Sequence, residues 1–303
     1  MNLAPVLIFS YKRLSCLRES ISSLKANPLA FQTDLYIFSD GWKTDLERES
    51  VEDVRKYIEN LRGFKKVTLK KSDHNKGLAA SIIDGVSEIL KEKGRVIVLE
   101  DDLVVSPNFL NYMNAALSTY EENRKVFSIS GYTFPVLVPP NYNSDVYFTQ
   151  RASSWGWATW SDRWLNIDWE VKSYNAFANN KKERKAFNKM GSDLATMLDK
   201  QMNGIINSWA IRWCYHQFKM SSYSVYPVVS KVRNIGFGAE ATHTFDYFNR
   251  FETLLDTSGR TEFNFVEPQL NKTLLKQFAN RYSVSTRAKY KILNKLAQIV
   301  RAQ

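Results

Sequence analysis

The sequence predicts an α/β fold in which a mostly parallel sheet is flanked by helices. Short apolar runs alternate with segments whose apolar residues recur every three or four positions, as in β–α–β units. Residues 96–99 are apolar at four consecutive positions, which is typical of a strand covered on both faces. The 303 residues are 44% hydrophobic, which is enough for a large core.

The first part of the chain supplies four predicted β–α units in succession. Ser106 and Pro107 predict the start of the fourth helix, as its cap and its first residue. After a further apolar run the alternation ends in a loop rich in proline and asparagine. The predicted strands cover residues 5–10, 35–38, 66–69, 96–99 and 126–131, the helices 14–24, 45–61, 78–90 and 107–120, and the loop 133–144.

Three adjacent carboxylates, Glu100, Asp101 and Asp102, follow the fourth strand directly. Ligands of open α/β sheets bind at the carboxyl ends of the strands, so these acids are expected at a ligand site. Crowded carboxylates repel one another unless a cation compensates them. Mn²⁺ or Mg²⁺ binds carboxylate oxygens together with phosphate oxygens, so the motif predicts a dication and a phosphate-containing substrate. A solvated turn between strand and helix is the alternative.

Other polar residues follow neighbouring strands and are expected at the same edge of the sheet. Arg13 comes after the first strand, and a guanidinium group there could pair with a diphosphate or lie on the surface. Asp40 comes after the second strand, where it could accept a hydrogen bond from a base or ribose or form an Asx turn. Asn75 and Lys76 lie in the loop before the third helix, which reaches the same edge.

The segment around Trp155, Gly156 and Trp157 is rich in tryptophan. Tryptophans beside glycine and serine can form a core wall or a platform for the apolar face of a sugar, and we favour the platform. His243 lies in a segment of glycine, small and hydroxyl residues that predicts a mobile loop. This histidine could contact phosphate or metal, or it could simply be solvated.

The formal net charge of +11 is compatible with nucleic acid, anionic lipid or an anionic substrate as a partner. No nucleic-acid-binding signature is present in the sequence. Residues 269–303 contain lysines and arginines but no acid, and they predict a basic amphipathic helix that packs on its own domain or docks on a membrane surface. No signal peptide or membrane span is predicted, so we expect a cytoplasmic protein, with peripheral membrane contact through this helix. Cys16 and Cys214 match no metal or redox motif.

Together these residues resemble the GT-A glycosyltransferases, with a pattern similar to N-acetylglucosaminyltransferase I and bacterial polysaccharide glycosyltransferases. The resemblance implies a Rossmann-like GT-A fold with a nucleotide-sugar-binding half at 1–132, an acceptor-side half at 133–250 and a basic helical extension at 251–303. The motifs that carry it are Arg13, Asp40, Val-Leu-Glu-Asp-Asp-Leu-Val-Val-Ser-Pro-Asn-Phe at 98–109, Trp-Gly-Trp at 155–157 and Asn-Ile-Gly-Phe-Gly…Thr-His at 234–243.

The implied reaction is metal-dependent, inverting transfer of a sugar from a nucleotide diphosphate-sugar, with a UDP-sugar favoured. The acceptor would be a glycan or lipid-linked saccharide, in bacterial surface polysaccharide synthesis. Asp102 and His243 would hold Mn²⁺ or Mg²⁺. The nucleotide-sugar would be bound by Arg13, Asp40, Asn75, Lys76, Glu100, Asp101 and His243, and the acceptor side by Trp155, Gly156, Trp157, Ser208 and Trp209.

One position departs from the pattern of the resembled enzymes. Where a catalytic aspartate precedes a tryptophan at the start of a helix, this chain has Ser208 before Trp209. Serine has no useful pKa for a general base, so we expect Asp193 or Asp168 to take that role. The alternatives are a retaining transferase, a nucleotidyltransferase and a non-catalytic carbohydrate-binding protein. The second of these usually has an early glycine-rich phosphate loop, which is missing here.

Overall fold

The computed structural model describes residues 3–237 and 248–301. The described strands are β1 (Val6–Ser10), β2 (Asp34–Ser39), β3 (Lys66–Lys71), β4 (Arg95–Glu100), β5 (Leu103–Val105), β6 (Val126–Ser130), β7 (Val146–Thr149), β8 (Trp157–Trp160), β9 (Tyr223–Pro227) and β10 (Val232–Asn234). The described helices are α1 (Leu14–Lys25), α2 (Arg48–Glu59), α3 (Leu78–Lys93), α4 (Phe109–Thr119), α5 (Ser161–Trp164), α6 (Tyr174–Ala178), α7 (Lys181–Phe187), α8 (Leu194–Met202), α9 (Trp209–Lys219), α10 (Lys272–Arg281) and α11 (Val284–Arg301).

The main sheet has eight strands in the order β3-β2-β1-β4-β8-β6-β9-β7. Strands β1 to β4 are parallel to one another, and β6 and β9 run in the same direction. Strands β8 and β7 run in the opposite direction. The predicted α/β class with a mostly parallel sheet is therefore confirmed. Residues 96–99 of β4 are fully buried, because β1 and β8 flank this strand and helices pack against the sheet.

Helix α4 begins two residues later than the sequence predicts. It starts at Phe109 with Asn108 at its N-cap, whereas Ser106 and Pro107 precede it. The backbone N–H of Ser106 donates to Lys231 and its hydroxyl group donates to Asn108. Ser106 therefore links Asn108, the N-cap of α4, to Lys231 just before β10, and it does not cap the helix itself.

A second, two-stranded antiparallel sheet joins β5 to β10. Its register places Asn234 opposite Leu103, so the chain after β10 returns to the carboxylates that precede β5. The backbone N–H of Ile235 donates to the carbonyl oxygen of Asp102 over 2.9 Å. This pairing brings a segment more than a hundred residues away in sequence to the end of β4.

The carboxyl-terminal region packs onto the main sheet through α10, where Leu274 and Phe278 are buried in the core. The predicted terminal helix is present as α11. The predicted boundaries at 132 and 250 remain predictions, although β6 before the first of them shares a sheet with β8 and β9 after it. Among the described helices, none is both long enough and apolar enough to cross a bilayer.

Candidate active site

The carboxyl ends of β1, β2 and β4 and the amino end of α3 border a cleft of about 260 Å³. Parallel strands end at the same edge, which is why residues from four separate β–α connections meet here. Its lining consists of Phe9, Ser10, Tyr11, Lys12, Arg13, Phe38, Asp40, Lys43, Asn75, Gly77, Leu78, Ser81, Glu100 and Asp101. The predicted residues Arg13, Asp40, Asn75, Glu100 and Asp101 are thus brought together.

The three carboxylates at the end of β4 have different surroundings. Burial raises the pKa of Glu100 to about 8, and the nearby charges of Asp102 and Asp101 act in the same direction. Burial also raises the pKa of Asp101 to about 6, although the charge of Arg13 opposes this shift. Burial and mutual repulsion therefore disfavour the ionised forms of Glu100 and Asp101, and a cation bound at this edge would favour them.

Arg13 supplies part of that compensation. Its Nη2 donates to Oδ2 of Asp102 over 2.8 Å and also to Oδ1 of Asp101. Burial lowers the pKa of Arg13, but the charges of the two carboxylates outweigh this effect and raise it above its ordinary value. The arginine is thus held as a permanent cation between the two aspartates.

The carboxylate of Asp102 fits a divalent metal ion that takes few of its ligands from the protein. Within residues 3–237 and 248–301, no three His, Cys, Asp or Glu side chains are grouped so as to hold a metal ion. Oδ1 of Asp102 accepts no hydrogen bond from a described residue, whereas Oδ2 is engaged by Arg13. Mg²⁺ and Mn²⁺ commonly use one or two protein carboxylates and complete their coordination with water and phosphate oxygens. The residues therefore fit an ion held by one carboxylate and a diphosphate.

Asp40 organises the loop that closes one side of the cleft. Its carboxylate accepts hydrogen bonds from the backbone N–H groups of Gly41, Lys76 and Gly77, each over 2.9 Å. The Asn75 side chain donates to the carbonyl oxygen of Gly41 over 2.8 Å. Through these bonds Asp40 positions residues 74–77 beside the ligand space, whereas an Asx turn would need a bond from the N–H of Trp42, two positions on.

Lys76 differs from the other predicted residues of this loop. Its backbone takes part in the contact with Asp40, but its Nζ lies 3.6 Å from Asp84. The side chain therefore points toward α3, and Lys76 does not line the cleft.

Sequence reasoning missed the aromatic wall of the cleft. The rings of Phe9 and Phe38 stack at 4.9 Å, and Tyr11 lines the same space. The hydroxyl of Tyr11 donates to Glu47 over 2.6 Å, and burial followed by this hydrogen bond raises the pKa of Tyr11 to about 12. The signal was available, since Phe9 and Tyr11 flank the carboxyl end of β1.

Gly236 follows β10 and lies directly against the Asp102 carboxylate. A Cβ at this position would overlap that carboxylate and would lie 3.2 Å from Nη1 of Arg13. Only glycine fits this close approach without displacing the ion pair. His243, predicted to contact metal and diphosphate, lies outside the described residues.

A second cavity, of about 190 Å³, lies beyond this segment. Trp155 lines it together with Tyr132, Phe251 and Tyr282, and the adjacent polar lining includes Ser153 and Ser154. The ring of Trp155 lies 5.7 Å from that of Phe237, the residue after Gly236. Phe237 therefore contacts the wall of this cavity, and the residue before it, Gly236, contacts Asp102. We call this second cavity the aromatic cavity.

Trp157 and Trp209, predicted to bind substrate, belong instead to the core. Both are buried, and the ring of Trp157 lies 5.2 Å from those of Trp164 and Trp209 and 4.4 Å from that of Trp213. Because β8 is a central strand, alternate side chains on it are covered by helices on the faces of the sheet. The core-wall alternative is correct for these two residues.

Gly156 and Ser208 also have structural contacts. Gly156 has a φ of +59°, and a Cβ there would lie 2.5 Å from Cγ2 of Val232. The hydroxyl of Ser208 accepts a hydrogen bond from the backbone N–H of Ile211 and caps α9. Of the predicted acceptor-side residues, only Trp155 lines the aromatic cavity.

The two aspartates proposed as general bases have other roles in the structure. Both oxygens of Asp193 accept hydrogen bonds from Arg151, over 2.8 and 3.0 Å. Burial alone would raise the pKa of Asp193, but the hydrogen bonds and charge of Arg151 hold it below its usual value. Asp193 is therefore the counter-ion of a buried arginine and a weak proton acceptor.

Asp168 lies away from the cleft. Strand β8 is antiparallel to β4, with Trp160 opposite Arg95, so β8 ends where β4 begins. Asp168 follows this end of β8, and its carboxylate accepts hydrogen bonds from the backbone N–H groups of Glu170 and Lys172. The residue follows the end of β8 that lies beside the start of β4, away from Asp102, so it is not placed to accept a proton in the cleft.

Comparison with known proteins identifies the chain's relatives. The sequence model described as Glycosyl transferase family 2 matches residues 6–191. That span contains β1 to β8, the three carboxylates and Arg13. No curated protein matches the sequence.

Solved structures with a similar arrangement are distant. One is the mannosyltransferase PcManGT from Pyrobaculum calidifontis in complex with GDP-Man and Mn²⁺, with 12% identity, 54% of this chain and 46% of that chain covered, and a TM-score of 0.35. Another is residues 1–349 of TarS from S. aureus, with 10% identity, 77% and 61% covered, and a TM-score of 0.41. The present chain thus spans about half to three fifths of the length of these proteins.

A putative glucose-1-phosphate thymidylyltransferase from Bacillus anthracis, in complex with a sucrose, also matches, with 12% identity, 56% of this chain and 77% of that chain covered, and a TM-score of 0.36. None of these distant similarities bears on the donor, the acceptor or the metal. The family model covers more than half of the chain, and the sheet it spans has the architecture expected of a GT-A enzyme. The chain therefore belongs to glycosyl transferase family 2.

Proposed function

We propose that this chain is a glycosyltransferase that moves a sugar from a nucleotide diphosphate-sugar, with a UDP-sugar as the first choice, to a saccharide or lipid-linked saccharide. The supporting observation is the cleft in which Asp101 and Glu100 face the ends of β1 and β2. An aromatic wall for a base, a loop held by Asp40 and a carboxylate edge for a metal-bound diphosphate lie in one space.

Asp102 is the residue that we propose to hold Mn²⁺ or Mg²⁺. When bound, the dication would neutralise charge on the departing diphosphate. Arg13 holds the carboxylates of Asp101 and Asp102 side by side, and it adds positive charge at the edge where the diphosphate would lie. Gly236 leaves room beside Asp102 that any larger residue would occupy.

We propose a single displacement with inversion at the anomeric carbon. The acceptor hydroxyl oxygen forms the new bond to that carbon while the bond from the carbon to the diphosphate oxygen breaks. The nucleoside diphosphate leaves with the electron pair of that bond, and the hydroxyl proton passes to a general base. Inversion follows from the resemblance of the motifs to N-acetylglucosaminyltransferase I. The described structure assigns the base role to neither Asp193 nor Asp168, because one is paired with Arg151 and the other is at the far edge.

The experiment that tests the donor is thermal unfolding of the full chain with UDP-, GDP- and dTDP-sugars, each with and without Mn²⁺. A ligand at 100 times its dissociation constant adds about 2.7 kcal/mol to the free energy of unfolding. We expect stabilisation by one nucleotide class that depends on the metal, followed by transfer to a saccharide acceptor. Equal stabilisation by free sugars without nucleotide or metal would contradict the proposal. The anomeric configuration of the product, read by NMR, separates inversion from retention.

We also propose that the outer face of α11 contacts an anionic membrane, where surface polysaccharides are assembled on lipid-linked acceptors. Val284, Ile292 and Leu296 are 64%, 59% and 54% exposed on this face. The neighbouring lysines 289, 291 and 295 are exposed as well, and the chain contains no acid after Glu267. An apolar stripe with flanking lysines is suited to an anionic lipid interface.

Co-sedimentation with vesicles tests this contact. We expect binding to vesicles that contain the anionic lipid phosphatidylglycerol, and weak binding to vesicles of pure phosphatidylcholine. The double variant Ile292→Ser with Leu296→Ser should lose binding, whereas Leu254→Ser, which changes an apolar residue that is 83% exposed elsewhere, should keep it. Equal behaviour of the two variants would contradict the proposal.

A further inference from the structure

One arginine lines the aromatic cavity, and two more lie near it. Arg151 lines it, and Asp193 compensates this arginine on both carboxylate oxygens. Two more arginines, Arg250 and Arg287, are close enough to act on the same group of charges. The charge of Arg287 lowers the pKa of Asp193. Burial lowers the pKa of Arg250; the charge of Asp193 opposes this shift, and the charges of Arg287 and Arg151 add to it. Three guanidinium groups therefore share the one carboxylate of Asp193.

Neither Arg250 nor Arg287 has a full set of hydrogen-bond or ion-pair partners among the described residues. Arg250 lies over the ring of Phe251 at 4.5 Å, and it makes no hydrogen bond or ion pair with a residue in 3–237 or 248–301. Arg287 donates from Nη2 to the hydroxyl of Ser192 over 2.9 Å, but its Nε is buried without a hydrogen-bond partner in that part of the chain. Unpaired, partly buried charge of this kind is costly unless a ligand supplies the partner.

The position of these arginines relative to the cleft indicates which substrate they could bind. Phe251 packs between Trp155 at 5.6 Å and Tyr282 at 5.7 Å, so Arg250 is next to the aromatic cavity. Trp155 in turn contacts Phe237, which follows Gly236 beside Asp102. A ligand in this cavity would approach the carboxylate edge from the side opposite to the aromatic wall of Phe9 and Phe38. That is the side from which an acceptor must come.

We propose that the acceptor is a saccharide bearing a phosphate or carboxylate group, which Arg250 and Arg287 bind while Trp155 packs against a neighbouring sugar ring. This inference rests on the proposed function, and it adds the charge of the acceptor. A guanidinium group pairs well with either oxyanion, and an indole ring suits the apolar face of a pyranose. Arg151 is excluded from this role, since Asp193 already engages it.

Isothermal titration of the full chain tests the proposal with three matched disaccharides: one ending in glucuronate, its neutral methyl ester, and the corresponding 6-phosphate. We expect at least one anionic form to bind about tenfold more tightly than the ester, which is the scale of one charge-assisted hydrogen bond. The preference should shrink in high salt. The two anionic arms decide between carboxylate and phosphate. Equal binding of all three, or binding of none, overturns the proposal.

Variants show which arginines carry the preference. Arg250→Gln should lower the affinity for the anionic disaccharide about tenfold and leave the affinity for the ester unchanged. Arg250→Lys keeps the positive charge and should lose less affinity than Arg250→Gln. Arg48→Gln is the matched control, because Arg48 also lies over an aromatic ring, that of Trp42 at 5.2 Å, on the distant helix α2. An unchanged anion preference in both Arg250→Gln and Arg287→Gln would overturn the assignment.

Donor binding is measured in the same samples by thermal shift with UDP and Mn²⁺. Stabilisation by the donor without any anion preference would overturn this inference and leave the proposed function intact. Anion-dependent saccharide binding without any donor binding would support the cavity assignment and overturn the proposed donor reaction. The two failures are therefore distinguishable.

Discussion

Arg13 and Asp102, 89 positions apart in sequence, are joined by a hydrogen bond of 2.8 Å between Nη2 and Oδ2. The same guanidinium group pairs with Asp101. The contact forms because β1 and β4 are adjacent and parallel, so that both end at the same edge. Two carboxylates of the acidic motif are thus paired with one cation of the chain itself.

Replacing Arg13 tests how the carboxylate edge is neutralised. In Arg13→Met, Asp101 and Asp102 lose their shared cation, and we expect a lower melting temperature in EDTA than for the wild type. Added Mn²⁺ should stabilise this variant more than it stabilises the wild type, because the ion replaces the lost charge. Differential scanning calorimetry with and without the metal measures the difference. An identical response of the two proteins to Mn²⁺ would show that the metal does not bind at this edge.

Asp102 should be required for turnover and dispensable for folding. We expect Asp102→Ala to lower kcat by at least about 10²-fold, the scale of losing one key electrostatic group. Steady-state kinetics with saturating donor and Mn²⁺ measures this loss. Asp53→Asn, on the exposed face of α2 with Lys56 as its partner, is the control and should retain full activity. Near-wild-type turnover of Asp102→Ala in excess metal would remove Asp102 from the reaction.

Trp155 and Trp157 lie two residues apart and should respond differently to truncation. Trp155→Ala should raise the KM for the acceptor about tenfold, or about 1.4 kcal/mol, with little change in the melting temperature. Trp157→Ala should lower the free energy of unfolding by about 3–5 kcal/mol, because it opens a cavity among four packed tryptophans. Acceptor kinetics and denaturant unfolding measure the two effects. A large stability loss in Trp155→Ala would instead place this residue in the core.

Asp193 should act on stability through Arg151. Asp193→Asn leaves a buried guanidinium group without its counter-ion, and we expect a loss of about 3–5 kcal/mol in denaturant unfolding. The double variant Arg151→Met with Asp193→Leu should recover much of this loss, since it removes both charges. If Asp193→Asn kept wild-type stability and lost activity over a hundredfold, the carboxylate would be the general base and our assignment would be wrong.

The ion pair between Lys231 and Asp256 should make stability sensitive to acid. Both side chains are buried, and Asn108 also donates to Asp256. Burial alone would raise the pKa of Asp256, but these hydrogen bonds hold it well below its usual range. The native state thus binds this proton more weakly than the unfolded state does. The pair's contribution is therefore complete above the unfolded pKa of about 3.9 and is lost as the pH falls further toward the native pKa.

We expect the wild type to lose stability as the pH falls below about 4, and Asp256→Asn to be less stable at neutral pH with a flatter acid dependence. Urea unfolding at several pH values measures the slope. Because Asp256 and Lys231 anchor the segment before β10, the variant should also weaken the placement of Gly236 beside Asp102. Parallel slopes for the two proteins would contradict the assignment.

The sequence determined the α/β class, the strands β1 to β4 and β6, and the edge at which Arg13, Asp40 and Glu100 to Asp102 meet. These features depend on local patterns: an apolar run defines a buried strand, and parallel strands end together. Only the tertiary structure decided that Trp157 is in the core and Trp155 in a cavity, that Asp168 lies at the far edge, and that Arg151 engages Asp193. Those outcomes depend on the antiparallel direction of β8 and on contacts between residues far apart in sequence. The local spacing of apolar residues carries no information about either.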